Sequence, residues 1–118
     1  MKYLCLIYQD ESVGATLPQA EIEKVLGEYL VFTDGIKKSG HYLGGNRLRP
    51  TEAASTVRVR NGKTMITDGP FAETKEQLGG YFLIEARDLN EAIQVAAKVP
   101  SARFGSVEVR PVWENPGN

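Results

Sequence analysis

The order in which strand-like and helix-like hydrophobic patterns follow one another constrains the fold of this 118-residue chain most strongly. Residues 3–8 form a nearly continuous apolar run of strand length, which is typical of a central strand covered on both faces. Between residues 16 and 40, apolar side chains recur at steps of three and four, which predicts a helix with one apolar stripe. Residues 41–48 favour a second strand, weakened by a glycine pair. The first part of the chain therefore indicates a β-α-β order.

Local signals mark both ends of the first helix. Thr16 and Gln19 have the spacing of a capping box, so we expect Thr16 to cap the first free amides. Gly40 can adopt the left-handed conformation that commonly ends a helix. Residues 9–15 are polar and contain a glycine, which predicts a loop before the helix.

A hairpin is predicted in the middle of the chain. Residues 56–60 alternate between apolar and polar side chains, and residues 63–67 follow after Asn61-Gly62. Asn-Gly between two such runs favours a tight turn, because both turn residues need a positive φ angle. Residues 72–78 are polar and rich in helix formers, which favours a short helical turn.

The last third of the chain repeats the strand-helix-strand order. Residues 81–85 predict a strand, Asp88 and Glu91 have capping spacing before a second amphipathic helix, and residues 106–112 alternate again. The whole order is the split β-α-β-β-α-β pattern of the ferredoxin-like fold, with a hairpin inserted. We therefore expect an α+β protein in which both helices cover one face of an antiparallel sheet.

The opposite face of such a sheet would still carry apolar side chains, and no segment is left to cover it. A second copy of the chain is the simplest cover, because an exposed apolar sheet face is unfavourable in water. The sequence thus predicts a homodimer with two sheets packed face to face.

Size and charge exclude several classes of protein. A chain of this length fits one domain, which we expect over residues 1–113, with a C-terminal tail over 114–118. The chain has 14 basic and 15 acidic residues, so a net charge of −1 provides no general field for nucleic acid. Because the first apolar run is too short for a signal peptide or a membrane span, we expect a cytoplasmic protein without a membrane partner.

Metal and cofactor chemistry have no support in the sequence. The chain contains one histidine and one cysteine, and no ligand pair with zinc spacing, so we expect no metal. No phosphate-binding glycine motif occurs, so we expect no nucleotide cofactor. Cys5 lies inside the first apolar run, where a free cysteine usually acts as a small core residue.

Several stretches resemble one protein family. The most specific is the run Thr67-Asp68-Gly69-Pro70-Phe71-Ala72-Glu73-Thr74-Lys75-Glu76, which leads into Gln77-Leu78-Gly79-Gly80-Tyr81. Further matching stretches are Ser39-Gly40, Gly44-Gly45, Leu48-Arg49-Pro50, Glu91-Ala92, Ala96-Ala97, Pro100 and Gly105-Ser106-Val107-Glu108-Val109-Arg110-Pro111. Together they resemble the YCII-related, DGPF-domain family over nearly the whole chain.

This resemblance implies a dimeric α/β barrel of ferredoxin-like subunits, in a family mostly of unknown function. Its wider superfamily includes enzymes and small-molecule binders that use the cavity between sheet and helices. Some members are encoded beside sigma factors of the extracytoplasmic-function class. Relatives of the shorter branch are thought to use a His–Asp dyad, for which Asp68 matches the aspartate. The predicted first helix contains no histidine, however, and Tyr29 falls near the expected position.

Asp68 is the first candidate for chemistry, and two interpretations stay open. Its carboxylate could accept hydrogen bonds within its own turn, as aspartates before Gly-Pro often do. Alternatively, it faces a cavity near the apolar Phe71 and acts as a general base. Lys75 either belongs to a solvated charged face or binds an anionic ligand group.

The remaining candidates are one histidine and several tyrosines. His41 follows Gly40 and can titrate near neutral pH, so it is a second candidate proton carrier. Tyr8, Tyr29 and Tyr81 could line a pocket, since each phenol combines a large apolar body with one polar tip. Core packing is the alternative for each of these tyrosines.

Two functions follow from the sequence. The first is a small-molecule-binding homodimer with cofactor-independent, lyase-like acid–base activity at a cavity near Asp68, bordered by Tyr29 and Lys75. The alternative is a non-catalytic interaction or regulatory protein, associated with an extracytoplasmic-function sigma factor, in which residues 68–71 fix a loop for partner contact.

Overall fold

The computed structural model describes residues 1–114 and contains six strands and three α-helices in that part of the chain. The strands are β1 (Lys2–Gln9), β2 (Tyr42–Arg47), β3 (Ser55–Arg60), β4 (Lys63–Asp68), β5 (Gln77–Glu85) and β6 (Ser106–Pro111). The helices are α1 (Glu11–Gly14), α2 (Gln19–Lys38) and α3 (Leu89–Ala96), with short 3₁₀ turns at Thr51–Ala53 and Pro100–Arg103. Residues 115–118 of the tail expected at 114–118 lie outside the described residues.

Four strands form one antiparallel sheet in the order β2-β5-β1-β6, and β3 and β4 form a separate two-stranded sheet. Without the hairpin, this is the strand order of a ferredoxin-like fold, so the predicted α+β class is confirmed. The core lies between the sheet and the two longer helices. It is formed by Tyr3, Cys5, Ile7, Phe32, Ile36, Ile84, Ala86, Ala92, Val95, Ala96 and Val99.

The other face of the four-stranded sheet has an apolar centre. Successive strand residues point to opposite faces, so Leu4 and Leu6 lie opposite the buried side chains of β1. They pair with Leu83 and Tyr81 of β5, and all four side chains are half-buried. Because α2 and α3 both pack on the opposite face, we call these four residues the open sheet face. The dimer that was expected to cover it stays a prediction.

The hairpin of β3 and β4 carries an apolar face and a basic face. Its turn residues Asn61 and Gly62 have φ angles of 52° and 74°, as the Asn-Gly signal predicts. Val57, Val59 and Ile66 lie on one side, and we call them the apolar hairpin face; Val57 is 60% exposed and Ile66 69%. The opposite side is formed by Thr56, Arg58, Arg60, Lys63, Met65 and Thr67. The apolar hairpin face therefore has no cover within the described chain.

The end of α2 follows the prediction for Gly40, which has a φ of 82°. The amide of His41 donates to the carbonyl of Ile36 at 2.9 Å, and the amide of Gly40 donates to that of Lys37 at 3.2 Å. These two bonds form a Schellman motif, which satisfies the last helical carbonyls. Ser39 and His41 consequently lie on either side of a fixed left-handed residue.

The start of α2 differs from the prediction. The helix begins at Gln19 without a side-chain cap, while the hydroxyl of Thr16 donates to the carbonyl of Val13 at 2.8 Å. The segment expected to be a loop contains α1, because Asp10 accepts a hydrogen bond from the amide of Ser12 and caps it. Thr16 is thus bonded to the end of α1 and does not cap α2.

The helical turn expected over residues 72–78 is absent from the described chain, since Gln77 already begins β5. The hydroxyl of Thr74 instead donates to the carbonyl of Glu76 at 2.6 Å. Side-chain bonds of this kind compete with helical backbone bonds. By contrast, the predicted cap of α3 is confirmed, since Asp88 accepts from the amide of Glu91 at 2.9 Å. None of the helices within residues 1–114 is long and apolar enough to cross a membrane.

Candidate functional site

An open groove of about 770 Å³ runs along the helical face, between α2 and the segment that contains α3 and the following 3₁₀ turn. This volume lies in the range of small-molecule sites. The apolar side chains that line it are Val31, Phe32, Ile36, Val95, Val99 and Pro100. Ser39 and His41 lie at the end of the groove where α2 stops.

Three side chains form a hydrogen-bonded chain at that end. The hydroxyl of Ser39 lies 2.6 Å from Nδ1 of His41, and Nε2 of His41 lies 3.1 Å from Oε1 of Glu91. A carboxylate only accepts hydrogen bonds, so Nε2 carries the proton. In the neutral ring Nδ1 is then the acceptor, and Ser39 donates to it. The same order of groups, a hydroxyl, an imidazole and a carboxylate, occurs in serine-type sites, although there the two ring nitrogens are exchanged.

The carboxyl group of Glu91 is ionised at neutral pH. The backbone amide of Arg87, the hydrogen bond to His41 and the positive charge of Arg87 together lower its pKa. The Arg87 guanidinium lies 3.1 Å from the second oxygen of Glu91. Glu91 is therefore held from two sides, which fixes the orientation of the His41 ring.

The other end of the groove is charged. Arg103 donates two hydrogen bonds to Glu28, at 2.5 and 2.8 Å, and this pairing lowers the pKa of Glu28. Lys24 and Lys98 also line the groove. An apolar floor with basic groups at its rim favours amphipathic molecules with an electron-rich or anionic end.

Asp68 lies at the base of the hairpin, outside the groove, and its side chain is exposed. The turn after it is held by two hydrogen bonds: the amide of Gly69 donates to the carbonyl of Ala54 at 2.7 Å, and the hydroxyl of Thr56 donates to the carbonyl of Gly69 at 2.8 Å. Within residues 1–114 the Asp68 carboxylate has no hydrogen-bond or ion-pair partner. Phe71 is 80% exposed. The expected Asx-turn bonds are therefore not formed there.

Two of the other predicted residues, Lys75 and Tyr8, lie in the connection before β5 and in β1, and neither lines the groove on the helical face. Lys75 is exposed, and its charge makes a small contribution to the lowered pKa of Asp10, after the hydrogen bonds from Ser12. Tyr8 is half-buried at the end of β1, where it pairs with Leu78 and Ser106.

The remaining two tyrosines lie on opposite faces of the sheet. Tyr81 belongs to the open sheet face, and its hydroxyl accepts a hydrogen bond from Asn46 at 2.9 Å. Tyr29 of α2 stacks on Phe82, with ring centroids 6.4 Å apart, and its hydroxyl lies 2.6 Å from that of Ser101. Burial raises the pKa of Tyr29, against the effect of the Ser101 hydrogen bond. Tyr29 thus joins the helix to the sheet and to the 3₁₀ turn.

His41 was predicted from the sequence, but its two partners were not. Ser39 stood out as the residue before a helix-ending glycine and Glu91 as part of a cap, and both occur in stretches that resemble the family, but no chemical role was predicted for either. A Ser-Gly-His sequence at a predicted Schellman end is the signal that could have paired Ser39 with His41, because the turn brings these side chains together. No local pattern indicates Glu91, which is 50 residues away. Within residues 1–114, no group of three or more His, Cys, Asp or Glu residues could hold a metal ion.

Comparison with known proteins gives two similarities. The model of the family described as YCII-related domain matches residues 1–115. An uncharacterised protein, R00369 of Rhizobium meliloti (strain 1021), is 41% identical over 114 residues, which cover 95% of this chain and 92% of that protein.

Proposed function

The chain belongs to the YCII-related domain family, and from this membership we propose that it acts as a homodimer that binds a small molecule beside Asp68. In this proposal Asp68 removes a proton from the bound molecule, as a cofactor-independent, lyase-like base. Lys75, Phe71, Tyr8 and Tyr81 remain the candidate ligand contacts, whereas Tyr29 lies on the opposite face of the sheet from Tyr81 and is left out of this site.

The observation that carries this proposal is the state of the Asp68 carboxylate. Within residues 1–114 it has unused acceptor oxygens, it precedes the strongly exposed Phe71 by three residues, and it is followed by a turn held in place through Ala54 and Thr56. A base must keep its oxygens free for the substrate, and a fixed backbone positions them. Within the described chain nothing covers this carboxylate, so the proposed site needs a second surface.

The dimer is supported by two uncovered apolar surfaces, the open sheet face and the apolar hairpin face. A two-stranded hairpin is marginally stable in water unless it packs on something else. Stable interfaces bury about 800 Å² on each partner, which a hairpin of this size cannot supply by itself. We therefore propose that both surfaces contribute to one interface, which brings the base of the hairpin close to the second copy.

A ligand screen by thermal shift tests the proposal. Wild-type protein, Asp68→Asn and Glu73→Gln would be melted with a panel of small carboxylic acids and phenols. We expect at least one compound to raise the melting temperature of wild type and of Glu73→Gln, and to lose its effect on Asp68→Asn. Glu73 is the matched control, because it is an exposed carboxylate in the same connection.

A non-catalytic interaction protein is the second candidate, and the exposed apolar hairpin face favours it. The same face would also suit a different protein, such as a regulatory partner of the sigma-factor class. This function predicts that no compound of the panel shifts melting and that Asp68→Asn changes only the stability of the free protein.

A further inference from the structure

We propose that Ser39 is a nucleophile, activated by His41 and Glu91, that accepts an acyl group from an activated ester bound in the groove on the helical face. This site is separate from the one proposed at Asp68. Its expected substrate is an aryl or similarly reactive ester with a short apolar acyl chain.

The hydrogen-bond geometry supplies the activation. Glu91 holds the proton of His41 on Nε2, which leaves the lone pair of Nδ1 directed at the Ser39 hydroxyl, 2.6 Å away. The carbonyl of Ile36 is a second acceptor for that hydroxyl, at the longer distance of 3.2 Å. The shorter contact to Nδ1 allows the ring to take the serine proton during attack.

The groove is open where the acyl chain would lie. Gly35 of α2 precedes Ser39 by one turn and lines the groove, and a Cβ atom placed on it would meet no atom within 4 Å. Glycine in a helix interior destabilises the helix, and at this position no neighbouring atom is so close that a residue without a side chain is required. The absent side chain leaves space over Ile36 and Val99, beside the serine.

The proposed reaction uses only the ester and water. Ser39 Oγ forms a bond to the carbonyl carbon, and its proton moves to Nδ1 of His41. The bond from that carbon to the ester oxygen breaks, and the leaving alcohol takes the proton from His41. Water then attacks the Ser39 ester with the same base, which releases the acid and restores the hydroxyl.

The choice of a reactive ester follows from the backbone around the serine. The amides of Ser39, Gly40 and His41 all donate to helical carbonyls, those of Gly35, Lys37 and Ile36. They are not free to stabilise a negatively charged oxygen, which usually contributes a factor of about 100 or more to such reactions. A good leaving group is therefore needed, and a peptide bond is not an expected substrate.

Labelling with an alkyl fluorophosphonate, followed by digestion and mass spectrometry, tests the proposal. We expect modification of Ser39 in the wild-type protein. His41→Gln should lower the labelling rate by about 100-fold, because it removes the positioned base. Glu91→Gln should also lower the rate, because it removes the group that orients the base. Ser12→Ala should label like wild type, since the Ser12 hydroxyl is bonded to Asp10, 2.6 Å away.

The variant Gly35→Leu shows whether slower labelling comes from a filled groove or from an unfolded protein. Leucine favours the helix and projects into the groove, so the variant should melt at a higher temperature than wild type and yet label more slowly. The proposal is overturned if Ser39 is not modified, if another serine is modified instead, or if the two Gln variants label at the wild-type rate while their circular dichroism is unchanged.

Discussion

At the scale of single residues, Cys5 illustrates how burial controls reactivity. The side chain is 1% exposed, and burial raises the pKa of its thiol to about 11. At pH 8 only about one thiol in a thousand is therefore ionised, and the thiolate is the reactive form. We expect the native protein to react with Ellman's reagent far more slowly than the protein in guanidinium chloride, as measured by absorbance. Equal rates would contradict the buried position of β1.

The lowered pKa values of two glutamates predict that the fold loses stability in acid. The pKa of Glu28 is lowered by its hydrogen bonds from Arg103, and that of Glu91 by the Arg87 amide and by His41. A carboxyl whose pKa is lower in the folded state stabilises the fold above its unfolded pKa, and this contribution is lost as the pH falls through the lowered value. We expect the melting temperature to drop as the pH is lowered below about 4.5.

Substituting single glutamates shows which carboxyl groups cause the drop in melting temperature at low pH. Glu28→Gln and Glu91→Gln should each flatten the dependence of the melting temperature on pH between neutral and acidic buffers. Glu52→Gln is the control, because within residues 1–114 this exposed glutamate has no hydrogen-bond or ion-pair partner. A steeper curve for either of the first two variants would contradict the assigned direction.

The sequence revealed the residue types of the site better than their arrangement. His41 was recognisable because it is the single histidine, and Asp68 because of its specific surroundings. The contact between His41 and Glu91 depends on how the start of α3 packs beside the start of β2, a tertiary feature without a local pattern. Whether Asp68 acts on a ligand remains a prediction.

At the scale of secondary structure elements, Gly40 fixes the end of α2. A residue with a Cβ atom at its φ of 82° costs about 1–2 kcal/mol. We expect Gly40→Ala to lower the free energy of unfolding in guanidinium chloride by about that amount. Gly27→Ala is the matched control in the helix interior and should raise it by up to about 1 kcal/mol.

Two neighbouring residues of the hairpin test whether the apolar hairpin face belongs to the proposed interface. Ile66 and Met65 are 69% and 52% exposed and point to opposite faces of β4. We expect Ile66→Asp to shift the protein from dimer to monomer in light scattering at micromolar concentration, while Met65→Asp leaves the dimer intact. Equal behaviour of the two variants would exclude the apolar hairpin face from the interface.

Elements with strong local signals were predicted correctly, and those with competing signals were not. The Asn61-Gly62 turn and the Asp88 cap depend on backbone angles and one side-chain bond, which a sequence specifies directly. Asp10 and Thr16 are both residue types that cap helices, and the sequence does not reveal that Asp10 caps α1 while α2 begins without a side-chain cap. Glu11, the first residue of α1, also bonds to Thr51 and Gln77 in distant parts of the chain, and no local pattern indicates these bonds.

At the scale of the whole molecule, the chain is more extended than a compact domain. Its radius of gyration is 16.3 Å, whereas about 13 Å is typical of 100 residues. The strand order and the two uncovered apolar faces lead us to expect a particle of twice the 13.0 kDa chain mass in light scattering. Leu6→Arg, at the centre of the open sheet face, should give the monomer; a monomeric wild type would contradict the proposed dimer.

The position of β1 in the centre of the sheet has a consequence for synthesis on the ribosome. Both neighbours of this strand, β5 and β6, begin only at Gln77 and Ser106. At translation rates of roughly 5–20 residues per second, the nascent β1 waits on the order of 5–20 s for its second partner. Its apolar residues lack at least one neighbouring strand during that time, so we expect chaperones to bind the growing polypeptide until its last strand has emerged.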